Sequence, residues 1–341
     1  MPNLTPNRSH LTQGYTTALV SALFLSTTAI FIRHLSVAYQ LPALVLAVWR
    51  EVFVSLTLLV IFLLVRPRLL KVQRLHLPYL LAYGFLLAVF NSFWTLSVAL
   101  NGAAVSTVLV YCSAGFTALL GWWLLKESLG PAKLLAVVLS LGGCVLVAGA
   151  YTPEVWNTNL AGILTGILAG LMYAIYSLMG RSASQRGLNP WSTLFYTFTI
   201  AAGFLGVFNV LTAVLPGWNI VPGAAARLSD FLWLGNAWGG WAVLFVLAAV
   251  PTLAGYGLYN VSLSHLPSSV ANLILTTEPA FTAVIAYFAF GEVLTGIQIV
   301  GSILILGGVV FLRIFEGRQT SKKELYAQNE SAKKIKMELQ D

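Results

Sequence analysis

The sequence predicts an all-α membrane protein whose ten transmembrane helices form two inverted five-helix repeats. Three observations carry this expectation. Hydrophobic residues make up 58% of the chain against 9% charged, the apolar residues fall into long runs, and the second half of the chain repeats the first. An average soluble protein is roughly 25% charged. The 19 Lys and Arg and 11 Asp and Glu of this 341-residue chain are too few to coat a water-facing surface, and the mean hydropathy is +0.83. Lipid is therefore the solvent for most of the chain. This excludes a soluble enzyme, a nucleic-acid binder and a disulfide-stapled secreted domain. The 2 cysteines, Cys112 and Cys144, lie in apolar runs and read as small buried hydrophobes, not as a disulfide or a metal pair.

A helix needs about 20 apolar residues to cross about 30 Å of hydrocarbon. Such runs cover 15–35, 41–65, 77–100, 103–125, 134–150, 160–180, 191–215, 241–263, 268–290 and 296–315. The first lacks a small-residue cleavage pattern and is too long for a signal core, so it is read as retained. Asn101-Gly102 and Pro267 are turn residues between runs and predict tight antiparallel hairpins. The one long connection, 216–240, holds Trp218, Phe231, Trp233 and Trp238, a composition suited to the membrane interface. The tail alternates Lys with Glu without apolar bulk and reads as a solvated helix or disordered. The expected organisation is a short N-terminal segment 1–14, a first repeat 15–150, a second repeat 151–315 and a polar tail 316–341.

Positive charge sets orientation. With ten spans both termini share a side, and if that side is the cytoplasm the inner segments carry all the Lys and Arg except Arg33, Arg50 and Arg227. Arg66, Arg68, Lys71 and Arg74 between the second and third runs dominate, with Arg181, Arg186 and the tail. The net charge of +8 is thus a topology signal and a contact for anionic lipid, with no nucleic-acid partner implied. The expected location is the plasma (inner) membrane, multi-pass, with cytoplasmic termini.

The repeat is visible without gaps. An offset of 165 lays 105–145 on 270–310 with 11 of 41 pairs identical, where roughly four are expected in so apolar a composition. Phe116-Thr117-Ala118 meets Phe281-Thr282-Ala283, Glu127-x-Leu129 meets Glu292-x-Leu294, and Leu141-Gly142-Gly143 meets Leu306-Gly307-Gly308. An offset of 148 pairs Gly14 with Gly162, Arg33 with Arg181 and Pro42 with Pro190. Five helices is an odd number, so the second half enters the membrane from the opposite side. Two halves related by an axis in the membrane plane are the architecture of many alternating-access transporters, with the site near the midplane. A membrane enzyme or receptor has no such need.

Each half ends with a helix, then Glu-x-Leu, then a helix carrying a Gly-Gly pair, here Trp122-Trp123-Leu124-Leu125-Lys126-Glu127 and Thr277-Glu278-Pro279-Ala280-Phe281 through Phe290-Gly291-Glu292. This pattern resembles the EamA-type branch of the drug/metabolite transporter superfamily, over about 15–315. The resemblance implies a central cavity lined by spans one, three, four, six, eight and nine, with five and ten peripheral. It also implies small-metabolite cargo such as amino acids, nucleosides, sugars or drugs, moved mostly outward. One departure is that Ser113-Ala114 lacks the proline of the matching Glu278-Pro279, so span four is expected to be the straighter.

Glu278 lies about ten residues into span nine, roughly 15 Å along the helix and so near mid-bilayer. An ionised carboxylate there faces a cavity, finds a partner or is protonated. It is the coupling candidate, the alternative being a neutral acid bonded to backbone freed by Pro279. Arg50 and Glu51 are also deep in a span, but neighbours in sequence point about 100° apart on a helix and do not pair naturally. Since the resemblance puts span two outside the cavity wall, they read as structural charges paired elsewhere. Glu127 and Glu292 head the last helix of each half and read as structural caps favoured by the helix dipole. The Gly-Gly pairs read as close helix packing.

Polar and aromatic residues fall at helical spacing on matching faces of both halves: Asn91 and Trp94, Thr107 and Tyr111, Tyr256 with Tyr259 and Asn260, and Asn272 and Thr276. Tyr173 and Tyr176 of span six join them. Amides, hydroxyls and rings at the midplane are suited to a small substrate with an apolar body and an amino or carboxyl end, the alternative being interhelical hydrogen bonds. No enzymatic constellation competes. His10, His34, His76 and His265 are scattered, there is no Walker motif, and nothing joins a Ser to a His and an Asp. No cofactor or metal is implied. The expectation is a secondary active transporter exporting amino acids or related small metabolites by alternating access. The alternatives are translocation of lipid-linked or cationic amphiphilic compounds, and, from another class, a membrane enzyme or sensor.

Overall fold

The computed structural model describes residues 8–147, 149–156, 160–215, 217, 221, 223–290 and 295–315, and among them every regular element is helical. In chain order these are α1 (Arg8–Ala38), α2 (Ala43–Val65), α3 (Leu77–Tyr111), α4 (Ser113–Leu125), α5 (Pro131–Val147), α6 (Leu160–Gln185), α7 (Pro190–Val214), α8 (Trp238–Leu247), α9 (Leu253–His265), α10 (Ser268–Leu275), α11 (Glu278–Phe290) and α12 (Gly296–Phe315). Eight helical stretches are long and apolar enough to cross a membrane. The other two runs differ: α5 has only 17 residues, and the run 268–290 is divided at Thr276-Thr277. Trp218, Glu292 and the tail lie outside the described residues.

Helix ends follow local chemistry. α7 starts where the Asn189 side chain accepts from the Trp191 and Ser192 N–H groups at 2.9 and 3.4 Å, with Pro190 in the first turn. Helical structure continues through Asn101-Gly102, yet the chain reverses there, because the Ser97 and Ser106 hydroxyls meet at 2.9 Å. A straight helix would hold residues nine apart about 13.5 Å from each other. The expected hairpin is therefore present without a break in helical pattern.

Span four is the more continuous of the matched pair: Ser106–Leu125 runs as one apolar stretch through Cys112, whose backbone stays in the helical region, whereas 268–290 is divided at Thr276-Thr277. α3 gives way to α4 at Cys112, and α10 gives way to α11 at Thr276-Thr277, which is the matching place under the 165-residue offset. Proline explains the second break but not the first. At Cys112 the neighbour is α6, whose Gly170 packs so closely that an added Cβ would lie 2.9 Å from the Leu109 carbonyl oxygen.

The halves interleave: α6 packs along α3 and α4, α1 along α9, and α2 along α7. α5 meets α12 at a backbone contact, where a Cβ on Gly143 would come within 2.6 Å of the Gly301 carbonyl oxygen. The outside is apolar, as a lipid-facing surface must be, with Leu64 and Phe288 each 80% exposed. Span eight carries a π-helical turn, Ala248–Thr252, around Pro251. Such bulges open the hydrogen-bond ladder and gather at functional sites. The connection after α7 folds back on α1 and α2. Trp49 Nε1 donates to the Phe231 carbonyl at 2.7 Å and Trp233 Nε1 to the Tyr39 carbonyl at 2.9 Å.

Candidate functional site

A cavity of about 80 Å³ lies between the halves. Seven residues singled out in the sequence line it: Asn91, Trp94, Thr107, Tyr111, Tyr173, Tyr256 and Glu278. Arg50 also lines it, so span two reaches the wall from which the family pattern placed it apart. Sequence reasoning passed over the remaining lining residues, Leu25, Thr28, Ile32, Phe90, Val110 and Thr252. Thr28 and Thr252 carried a signal, being mid-span hydroxyls, and Thr252 follows the Pro251 bulge. The apolar members carried none, since nothing in composition separates a cavity-facing Leu from a lipid-facing one.

Glu278 stands at the first turn of α11, beyond the Thr276-Thr277 break, half-buried with its surface turned to the cavity. The Tyr111 hydroxyl lies beside its carboxyl. Glu278 lies in the first turn of α11, where the partial positive charge of a helix N-terminus favours an acid. Across the cavity, Asn91 settles the sequence puzzle of Arg50 and Glu51. Its amide oxygen accepts from Arg50 Nη2 at 3.0 Å and its amide nitrogen donates to Glu51 Oε1. The two charges point apart, as helix geometry requires, and one amide on α3 joins them. Phe90 and Tyr173 stack at 5.1 Å to form an aromatic side of the pocket.

The other predicted residues are buried instead. Tyr259 donates to Ser177 Oγ at 2.6 Å, Asn272 Nδ2 donates to the same oxygen at 2.9 Å, and Asn272 Oδ1 accepts from Ser113 at 3.0 Å. Thr276 bonds back to its own helix at the Leu273 carbonyl. Tyr176 packs on Tyr83 at 4.7 Å, and Asn260 is 3% exposed beside them. Further toward the basic connections, Glu127 corrects its expected role. It does not cap its own following helix; its carboxylate accepts from the backbone N–H and hydroxyl groups of Ser268 and Ser269, the N-terminus of α10 in the other half. Lys133 Nζ donates to Ser269 Oγ at 2.9 Å, and Arg181 donates to the Leu263 and Ser264 carbonyls at 2.9 and 3.1 Å. The result is a cavity on one side of the interface and a hydrogen-bonded seal on the other.

A helical chain with an apolar exterior and a polar cavity between two interleaved halves is a multi-pass membrane protein of the transport type. The chain belongs to the EamA-like transporter family, which matches it twice, over residues 12–149 and 160–314. It is 28% identical to an uncharacterized transporter of Archaeoglobus fulgidus over 228 residues, 66% of this chain and 73% of that one. It is also 28% identical to the threonine/homoserine exporter RhtA of Salmonella typhimurium over 238 residues, 69% of each chain. Similarity to the uncharacterized transporter YdfC of Bacillus subtilis runs over 293 residues at 25% identity, covering 85% of this chain and 87% of the relative. A solved crystal structure shares the fold with a TM-score of 0.69 at 16% identity, covering 91% of this chain and 99% of that one.

Proposed function

We propose that this transporter is a secondary active exporter of amino acids or related small metabolites. It works by alternating access between two inverted five-helix repeats, ten spans in all, in the plasma membrane with both termini cytoplasmic. The observation that carries this reading is how residues matched by the repeat divide between cavity and seal. Thr28, Trp94, Thr107, Val110 and Tyr111 line the cavity, while their matches Tyr176, Tyr259, Asn272, Leu275 and Thr276 are all buried. Two matched pairs, Leu25 with Tyr173 and Asn91 with Tyr256, line it from both halves. Parallel repeats would set matched residues at one depth and expose both. Repeats related by an axis in the membrane plane put central pairs together and send outer pairs to opposite sides, which fits this division. Exchanging the two half-conformations would close the cavity and open the seal.

The cargo class follows from size and polarity. About 80 Å³ is far below the roughly 300–1,000 Å³ of pockets that hold drug-sized ligands, which favours a small polar molecule over an amphiphile. The relative named as a threonine/homoserine exporter supports amino acids. Glu278 is the group through which protons couple to transport. Counterflow in proteoliposomes tests the reading: vesicles loaded with an unlabelled amino acid mixture should accumulate a labelled member of it. Absence of counterflow for every amino acid, together with transfer of a labelled phospholipid between leaflets, would replace it by amphiphile translocation.

A further inference from the structure

We infer that Arg50 is an anion-binding residue of the cavity, and that the molecules admitted there carry a carboxylate. The inference deepens the transport reading and rests on it for the identity of the cavity as the substrate site.

Arg50 is 7% exposed and Glu51 0% exposed. Burying such a pair costs much desolvation, and replacing buried ion pairs by apolar residues is often neutral or stabilising. Stability alone therefore gives no reason to keep them. The second half shows that the fold does not need them. Under the 148-residue offset Arg50 matches Phe198, and under the 165-residue offset Asn91 matches Tyr256. Phe198 and Tyr256 are in ring contact at 5.3 Å, just as Arg50 and Asn91 are joined by a hydrogen bond. The same helix–helix contact is thus built once from a guanidinium and an amide and once from two rings. Arg50, Asn91 and Tyr256 all line the cavity, and Phe198, the match of Arg50, does not.

The guanidinium is also incompletely used. Arg50 Nη2 donates to Asn91, while Arg50 Nε and Glu51 Oε2 are both buried without a hydrogen-bond partner. A guanidinium is a permanent cation with its donors in a planar fork that matches a carboxylate. A buried donor without a partner is costly and calls for one. Glu51, tied to the far side of the Asn91 amide, is a positioning residue that holds the fork from behind. Tyr256 lies within electrostatic reach of both Arg50 and Glu278, so the two charges act on one pocket. A substrate carboxylate on Arg50 leaves an amino group free to approach Glu278.

The test is thermal stabilisation of the detergent-purified full-length protein by matched probes: butyrate, butyramide and butylamine, then L-threonine against L-threoninamide. Carboxylates should stabilise the parent protein more than their amides. Arg50→Gln should weaken apparent carboxylate binding by about tenfold or more, with Arg50→Lys retaining part of it. If Arg50→Gln does not fold because Glu51 is left unpaired, the double variant Arg50→Gln/Glu51→Gln removes both charges and should show the same loss. Equal stabilisation by acids and amides, no stabilisation by any probe, or carboxylate binding unchanged in these variants would overturn the inference. An acid preference without counterflow by any amino acid in proteoliposomes would sink the exporter reading and leave Arg50 as an anion site. Counterflow without acid preference would do the reverse.

Discussion

Trp94 and Thr107 face the cavity, whereas Tyr259 and Asn272, which the repeat sets at the same places in the second half, are 0% exposed and bonded to Ser177. The chemistry of the two sets is alike: an aromatic ring with a polar edge, and a small hydrogen-bonding group one helix further on. What differs is what each set meets. On the open side both residues line the cavity. On the closed side Ser177, presented by α6, satisfies both partners at once, and the Glu127 carboxylate fastens the adjoining helix N-terminus to the opposite half. Side-chain type therefore does not decide which side is open; the position of α6 and of the α10 N-terminus does.

The largest expected effect lies where the two regions meet. Glu278→Gln keeps the size and hydrogen-bonding capacity of the side chain but removes the ionisable group. Accumulation driven by a pH gradient in proteoliposomes should fall by about tenfold or more, while counterflow at equal pH persists. A pH-driven rate equal to the parent's would reduce Glu278 to a structural acid at a helix N-terminus.

The seal comes next. Glu127→Ala leaves the Ser268 and Ser269 N–H groups uncapped, a loss of about 0.5–2 kcal/mol by analogy with helix capping. The closed side should open more often. An impermeant thiol reagent applied from the cytoplasmic face should then react faster with a cysteine placed at Tyr259. An unchanged rate would mean that the cluster holds nothing shut. Comparable in stability is Asn272→Ala, which removes two buried hydrogen bonds worth about 1 kcal/mol each. It should lower the melting temperature by a few degrees and raise cytoplasmic-side reactivity; an unchanged reactivity would mean that Asn272 holds nothing shut.

Much of this architecture was legible in the sequence, for identifiable reasons. Lipid contact forces long apolar runs, and the gap-free match of 105–145 on 270–310 exposes the repeat. The polar residues at three- and four-residue spacing lie at the interface between the halves, because amides and phenols cannot face lipid at little cost. Which of them face a cavity was not legible, since Trp94 and Tyr259 present the same pattern to a reader of the sequence. The interruption at Cys112 escaped because no proline or glycine marks it in the adjacent sequence; the close approach there comes from Gly170, more than fifty residues away in the chain. The cavity position of Arg50 escaped because the amide that links it to Glu51 comes from another helix. The reach of Glu127 across to α10 was hidden for the same reason: a cap is read from adjacent sequence, and this one comes from the other half.

The most direct test of the exchange between open and closed sides is paired accessibility. Cysteines are placed singly at Thr107 and at Asn272, in a background where Cys112 and Cys144 are replaced by alanine. An impermeant maleimide is then applied from each face of the membrane, with and without a transported amino acid. The account predicts antiphase behaviour: the position 107 thiol reacts from the outside and the position 272 thiol from the cytoplasm. Any condition that speeds one should slow the other. Two rates that rise and fall together, or reaction of both thiols from the same face, would contradict it.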